Sequence, residues 1–495
     1  MNKALLLAVI IFIVKISFGQ NTTMFNDTIL PFGSGAYTIE GICQDDSFYY
    51  MLGGVNNYQP KWNLMVLKMD KNGVLIDKKK FEDSLLYYAA YPYNSIELNN
   101  NSIIYCTTIT DTAQKVNGMI MCLNKHSLDT LWTKIYLHPD TSSILSISDN
   151  KSVLTAIKAT PDNCYILTGN YRAVGSLYSY LMKIDSVGNT LWTKTYSMYY
   201  SFYNIQLAPD SGYYIPCTYN NTVLNLIKVD KNGEFKWNVS INSNSNPSYP
   251  MAISLSNNGN ISISSSYWYD LTNNLRGITI SNINPTTKTL VWEKNYILYQ
   301  NFIGMTLHQA MGLEILSDGS IVVSGTLAKT SADLKGFIFK LNSNGDSLWT
   351  KTYDFGNPIY DDCQLNDVIV CDDGGFMGVG FFWSHLVSVN DAAWMFKTDA
   401  NGVVGWEAST PLSVQKLNVW PNPASDYTKI NIGQALNETS EIIIYNSLGQ
   451  IVETLSFQKQ QREIVVNLQG FKAGVYYFEL RTNNKIIGTG KFIKE

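Results

Sequence analysis

Lys340-Leu341-Asn342-Ser343-Asn344-Gly345-Asp346-Ser347-Leu348-Trp349-Thr350-Lys351-Thr352-Tyr353 reads as an alternating run, a polar turn closed by glycine, and a second run led by tryptophan. Its second half returns as Leu131-Trp132-Thr133-Lys134-Ile135-Tyr136, Leu191-Trp192-Thr193-Lys194-Thr195-Tyr196 and Val291-Trp292-Glu293-Lys294-Asn295-Tyr296, and Trp237 and Trp406 mark two more copies. The turn recurs as Asp70-Lys71-Asn72-Gly73, Asp185-Ser186-Val187-Gly188, Asp230-Lys231-Asn232-Gly233 and Asp399-Ala400-Asn401-Gly402. Asp or Asn followed by Gly between alternating runs is the chemistry of a tight hairpin, so each copy is strand, turn, strand. In every copy with the glycine the tryptophan slot falls four residues later, which puts Asp77 in that slot of the first copy and Phe81 where the others carry tyrosine. That makes seven copies.

A second pair of strands precedes each hairpin, cued by turns such as Asp162-Asn163, Asn258-Gly259, Asp318-Gly319 and Asp373-Gly374. Successive tryptophans from Trp132 to Trp406 stand 45 to 60 residues apart. Four short strands per interval cannot bury both faces alone, whereas stacking such units around an axis does. The fold class expected is all-β: a seven-bladed β-propeller followed by a small C-terminal β-sandwich domain. The blades fall near 37–81, 94–136, 151–196, 203–240, 250–296, 311–353 and 365–409, and residues 25–35, which resemble the end of a repeat, are expected to add an outer strand that closes the ring. Trp132, Trp192, Trp237, Trp292, Trp349 and Trp406 are read as blade-docking residues. The segment resembles the tryptophan-docking repeats of quinoprotein-type propellers, most closely at Asn284-Pro285-Thr286-Thr287-Lys288 before Trp292. Without metal ligands or an adjacent-cysteine pair the cofactor of those enzymes does not follow, and no cofactor or metal is expected. The Asp-x-Asn-Gly turns are read as hairpin chemistry rather than calcium loops, which use more carboxylates and a distal glutamate.

Lys3 followed by the apolar run Ala4–Val14 reads as a secretory signal peptide over residues 1–19, with Gly19 and Gln20 flanking the cleavage site. No later stretch approaches the roughly 20 apolar residues of a transmembrane helix, so none is expected in the mature chain. Seven cysteines, an odd number without CxxC spacing, do not make a disulfide framework or a zinc site. Cys106 and Cys122 lie on neighbouring strands and could pair, but small buried thiols are the commoner explanation. A net charge of −4 with 15% charged residues offers no basic field for nucleic acid.

After residues 411–416, a linker, the repeats stop. Leu417-Asn418-Val419-Trp420-Pro421-Asn422-Pro423, Ile443-Ile444-Tyr445-Asn446-Ser447-Leu448-Gly449-Gln450, Gly474-Val475-Tyr476-Tyr477 and Lys491-Phe492-Ile493-Lys494 follow in order. In motif and spacing, residues 417–495 resemble the type A C-terminal sorting domain of the type IX secretion system, with Pro421, Asn422, Pro423, Tyr445, Gly449, Gly474, Tyr476 and Lys491 as its motif residues. The resemblance implies a Bacteroidetes source, export across the outer membrane, and as partners the secretion machinery, its sortase-like peptidase and a surface lipopolysaccharide. Residues 20–410 are then the exported propeller.

For catalysis the chain shows only His126, His138, His308 and His385, scattered over different blades, and no HExxH, GxSxG or P-loop. The reading is a secreted or surface-attached non-catalytic binding or adhesion protein contacting a glycan or a protein. Aromatic segments such as Tyr196–Tyr203 and Tyr267-Trp268-Tyr269 suit such contacts. The alternatives are a propeller enzyme on extracellular polysaccharide, hydrolase or lyase, and a structural surface-layer or matrix component.

Overall fold

The computed structural model describes residues 24–495 except 34, 57–61, 83–85, 90–94, 100, 112–115, 137–150, 174–175, 201, 220–222, 242–245, 271–274, 299–308, 329–333, 356–360, 385–390, 405–414, 432–439, 447–449, 458–460 and 483–484. The signal peptide and its Gly19–Gln20 junction, His138, His308, His385, Trp406 and Gly449 therefore lie outside the described residues. The chain divides into two units, Met1–Gly405 and Trp406–Glu495, and every described element is a strand.

In the first unit, blade 1 is a meander of Ala36–Gln44, Phe48–Asn56, Asn63–Asp70 and Leu75–Phe81. Six further four-stranded units follow the same plan. In blade 2 the first strand is split into Leu86–Ala89 and Ile96–Asn99, and in blade 4 into Tyr199–Tyr200 and Gln206–Leu207. The first strands of successive blades touch one another in a complete cycle that returns from Asp361–Val370 to Ala36–Gln44. Among the described residues apolar cores fill the seams between neighbouring sheets, including one that joins Tyr37, Met51 and Leu67 of blade 1 to Met377, Val379 and Met395 of blade 7. A closed cycle of sheets, each buried on both faces by its neighbours, is a β-propeller.

Blade 7 corrects one expected boundary. Its strands are Asp361–Val370, Phe376–Ser384 and Ala392–Lys397, and among the described residues beyond Gly402 only Val404 bridges back, to Thr398. The outer edge is occupied instead by Phe25–Ile29, so the closing strand comes from the N-terminal end of the chain, as the repeat-like character of residues 25–35 predicted. Pairing the two ends of the ring in one sheet removes the free edges that an open arc would expose. The register is informative: Phe25 stands opposite Lys397, as Trp192, Trp237 and Trp349 stand opposite Lys183, Lys228 and Lys340. Phe25 thus fills the tryptophan slot of blade 7. Behind it the buried Trp394 donates its indole N–H to Asn26 Oδ1 at 2.8 Å.

The second unit is a sandwich. One sheet orders Gln415–Lys416, Lys485–Lys494, Gly474–Thr482, Ser440–Tyr445 and Ile451–Phe457; the other pairs Asn418–Trp420, Tyr427–Asn431 and Glu463–Asn467. Alternate residues meet in a core that includes Ile430, Ile442, Ile444, Val466, Phe478 and Phe492.

Candidate functional site

The repeated phrase is a clasp between blades. The rings of Trp132, Trp192, Trp292 and Trp349 lie on Gly188, Gly233, Gly345 and Gly402 of the next hairpin, so close that a Cβ at any of these glycines would come within 2.8 Å of the indole. Each of these glycines also has a positive φ, from 71° to 81°, so both conformation and space call for glycine. The tyrosine four residues after the tryptophan donates its hydroxyl to the carbonyl of the same glycine: Tyr136 to Gly188, Tyr196 to Gly233 and Tyr296 to Gly345, each at 2.6 Å, and Tyr353 to Gly402 at 2.9 Å. The lysine between them reaches the residue after the glycine, as in Lys194–Glu234 at 2.6 Å and Lys294–Asp346 at 2.7 Å. Trp237 packs on Tyr214 in its seam, where the next turn carries Lys288 rather than glycine. Asp77 brings no ring, and the fully buried Leu128 of blade 2 fills that seam from the other side.

The turn acids are also occupied. Asp70, Asp185, Asp230 and Asp399 accept N–H groups of their own hairpins. Lys236 and those N–H groups hold the Asp230 carboxyl down to about 2. Asp162, Asp210 and Asp373 pair with Lys183, Lys228 and Lys397, lysines buried within the sheets, at 2.5, 2.6 and 2.7 Å. Among the described residues no group of three or more His, Cys, Asp and Glu side chains converges as a metal site. All seven cysteines are unpaired, and burial pushes the Cys106 thiol up to about 12. The aromatic segments flagged for contact serve packing where they are described: Phe202 and Tyr267 are buried, and Tyr199 stacks on Phe235.

Ionisable side chains gather instead on the first strands, around the axis. Lys158 of blade 3 pairs with Glu97 of blade 2 at 2.9 Å. Burial works against the Lys158 ammonium, but Glu97, with Glu314 and Asp367 nearby, outweighs it and holds its pKa above the usual value. Burial raises Asp367 to about 6, against the N–H groups of Ile42 and Val368 that it accepts. Glu314, on the first strand of blade 6, is raised by burial too, against Lys158. Burial, then Glu97 and Asp367, push the Cys43 thiol well up, the opposite of an activated nucleophile.

Where blade 7 meets blade 1 a cleft of about 400 Å³ opens, lined by Tyr37, Glu40, Trp62, Phe381 and Asp391 among others. It lies at the end of the blades where first strands begin and second strands finish, away from the tight turns. Glycines at 53 and 54 leave the room: a Cβ on Gly53 would meet the Thr38 carbonyl at 2.0 Å, and one on Gly54 the Trp62 ring at 2.9 Å. Glu40 is the extra residue of a bulge, since the register skips from Ile39 to Gly41. The same bulge recurs at Thr155, Met311 and Asn366 in blades 3, 6 and 7. A bulge re-aims its side chain, and here it turns Glu40 into the cleft beside Asn366, whose Nδ2 lies 3.3 Å from Oε2. Burial raises the Glu40 carboxyl to about 7 against the hydroxyl of Thr38 that donates to it, and burial raises Asp391 as well. Neither acid has a lysine or arginine partner among the described residues. Sequence reasoning did not single out any of these lining residues; the only signal was Trp62, a tryptophan outside the repeated slots.

In the second unit Asn422, between two cis prolines, works as a strand extension: its Nδ2 donates to the Lys491 carbonyl at 3.2 Å and its Oδ1 accepts the N–H of Ile493 at 2.9 Å. Thr428 donates to the Pro421 carbonyl at 2.7 Å. Tyr476 stacks on Phe492 with centroids 5.4 Å apart and donates to the Lys472 carbonyl, while Tyr445 donates to Glu479, which also holds Arg481. The motif thus ties the entry of the unit to its last strand, and residues 418–495 match the family model of the secretion system C-terminal sorting domain. This unit is a secretion-system sorting domain. A type IX sorting tail of this kind implies export, engagement of the secretion machinery, and a cell-surface or secreted location. Among the described residues no helix is long and apolar enough to cross a membrane.

The chain is also similar to solved structures. PorZ, a surface component of the type IX secretion system of Porphyromonas gingivalis, matches at 10% identity over 94% of this chain and 76% of PorZ, with a TM-score of 0.33. A Bacteroides caccae protein of unknown function matches at 11% over 65% of this chain and 94% of its own, TM-score 0.36. The polysaccharide lyase Uly1 matches at 8% over 77% and 93%, TM-score 0.46. Likeness at this level carries no argument about activity. Curated protein sequences give no match.

Proposed function

We propose that the protein is an exported binding or adhesion module whose seven-bladed propeller, residues 20–410, meets an extracellular glycan or protein without turning it over. The signal peptide is removed between Gly19 and Gln20, and the tail beyond the 411–416 linker is handled by the secretion machinery and its sortase-like peptidase, with attachment to surface lipopolysaccharide. The observation that carries the binding reading is the cleft at the seam of blades 7 and 1. It joins aromatic walls to carboxyl groups that have no cationic partner among the described residues, and no activated nucleophile lies beside it among those residues. A second reading, a hydrolase, draws on the same place: Glu40, raised to about 7, has the proton affinity of a general acid, with Asp391 as a second carboxyl.

Incubating the purified full chain with extracellular polysaccharides and immobilised matrix proteins separates the two. Saturable retention without new reducing ends is the expected result, and steady release of reducing ends would replace the binding reading with the enzymatic one. For export, a reporter fused to residues 411–495 should reach the surface of a host with a working type IX system; accumulation in the periplasm would refute it.

A further inference from the structure

We infer that the cleft between the first and last blades is a saccharide subsite that takes one uncharged sugar ring against Trp62, with the ring hydroxyls bonded to Glu40 and Asp391. The inference rests on the binding reading and gives it a place and a ligand class.

The walls carry the first step. Trp62 is braced against the bare Cα of Gly54, which fixes the indole without a side chain beneath it. Tyr37, buried in the seam core, is anchored at both ends, its N–H on the Asp391 carbonyl at 2.9 Å and its hydroxyl on the Gly33 carbonyl at 2.9 Å, and Phe381 of blade 7 lines the same cleft. A rigid aromatic surface presented to a concave space matches the C–H face of a pyranose, which gains by leaving water while its hydroxyls stay at the rim. The volume of about 400 Å³ lies near the lower end of the ~300–1,000 Å³ usual for small-ligand sites, which suits one sugar ring rather than a folded polypeptide segment.

The acids carry the second. Some partly buried carboxylates of this ring meet lysines, Asp45 with Lys125, Glu97 with Lys158 and Asp373 with Lys397, while Asp367 and Glu293 are held by N–H groups or a hydroxyl. Among the described residues Glu40 and Asp391 meet no lysine or arginine: Glu40 is held by the Thr38 hydroxyl at 2.8 Å and the Asn366 amide at 3.3 Å, and both carboxyls line the cleft. A sugar hydroxyl bonds a carboxyl whether it is protonated or ionised, because it donates and accepts. An anionic glycan, uronate or sulfate, would place like charge against both acids with no lysine or arginine among the described residues to neutralise it. The Asn366 amide, 3.3 Å from Glu40 and 2.8 Å from the Ile39 carbonyl, holds the acid's position across the seam and so makes the subsite a property of ring closure.

The test uses the purified full chain on an array carrying neutral gluco-, manno- and galacto-oligosaccharides, sulfated and uronic glycans, amino sugars, and immobilised matrix proteins. Four proteins are compared: wild type, Trp62→Ala, Trp62→Phe and the control Trp383→Ala, an exposed indole that does not line the cleft. Expected is retention on a neutral oligosaccharide that falls at least tenfold in Trp62→Ala, is largely kept in Trp62→Phe, and is unchanged in Trp383→Ala. A titration of tryptophan fluorescence with that sugar should respond in wild type and not in Trp62→Ala. Equal retention by wild type and Trp62→Ala would remove the cleft as the site while leaving the binding reading intact. Retention confined to anionic glycans or amino sugars would overturn the ligand class. Retention on proteins alone would overturn the inference and keep the reading, and retention on nothing would sink both.

Discussion

Among the described residues four seams of the ring, 2/3, 3/4, 5/6 and 6/7, are built alike, with a tryptophan on a glycine and a tyrosine hydroxyl on the same glycine's carbonyl. The seam between blades 7 and 1 is built differently. Its outer strand arrives from the other end of the sequence, Phe25 replaces the tryptophan against Gly73, and the acids of the cleft line its inner end. The regular seams are interchangeable packing units, formed by contiguous chain. The closing seam needs two ends of the chain to meet, and an aromatic cleft lined by acids has a place there because this seam is not assembled from the repeated phrase.

The contrast can be broken most directly by removing residues 24–30. Loss of the closing strand exposes one edge of Ala392–Lys397 and leaves the buried Trp394 indole N–H without Asn26; the expected cost exceeds ~5 kcal/mol, read as loss of a single cooperative unfolding transition. If the truncated chain melts like wild type, the strand does not close the ring in solution. Next in size, Trp192→Ala in a regular seam should cost about 3–5 kcal/mol. Phe25→Trp at the closing seam should change stability by less than ~1 kcal/mol, since the slot is the same and differs in volume. Denaturant midpoints compare the two, and a Phe25→Trp loss as large as that of Trp192→Ala would mean the slots are not equivalent.

A smaller effect distinguishes the seams by pH. Glu40, about 7 in the folded chain against an ordinary 4.5, and Asp367, about 6 against 3.8, give up their protons more readily when unfolded. Their contribution is therefore complete below the unfolded values and is lost as pH rises through the folded ones. Glu40→Gln removes that ionisation, so at pH 8 it should be more stable than wild type by about 1–2 kcal/mol, discounted for water in the cleft, with the difference shrinking toward pH 5. A Glu40→Gln chain whose stability follows wild type across that range would show that the acid is not desolvated. Smallest of all, Tyr196→Phe should cost about 1 kcal/mol, the net value of one hydrogen bond, with no pH dependence between 5 and 8.

The sequence by itself was enough for the strand pattern, the repeat and the identity of the tail, because each is written in local periodicity. Alternation marks strands, Asp-x-Asn-Gly marks hairpins, and the motifs from Pro421 to Lys491 appear in order. The same local signal carried the tryptophan slot and even the repeat-like look of Phe25–Ile29. What only the tertiary structure decided is what two distant segments do when they meet. Phe25 takes a slot that counting along blade 7 assigns to Trp406, because strand pairing is chosen by the free edge available and not by position in the repeat. Glu40 turns into a cleft because a bulge shifts it out of the alternation that sequence reading depends on, and it is joined there by Phe381 and Asp391, more than 300 positions away in the chain. A period of two predicts which residues face a core; it is blind to the one extra residue that changes the face and to the seam that gives that residue its neighbours.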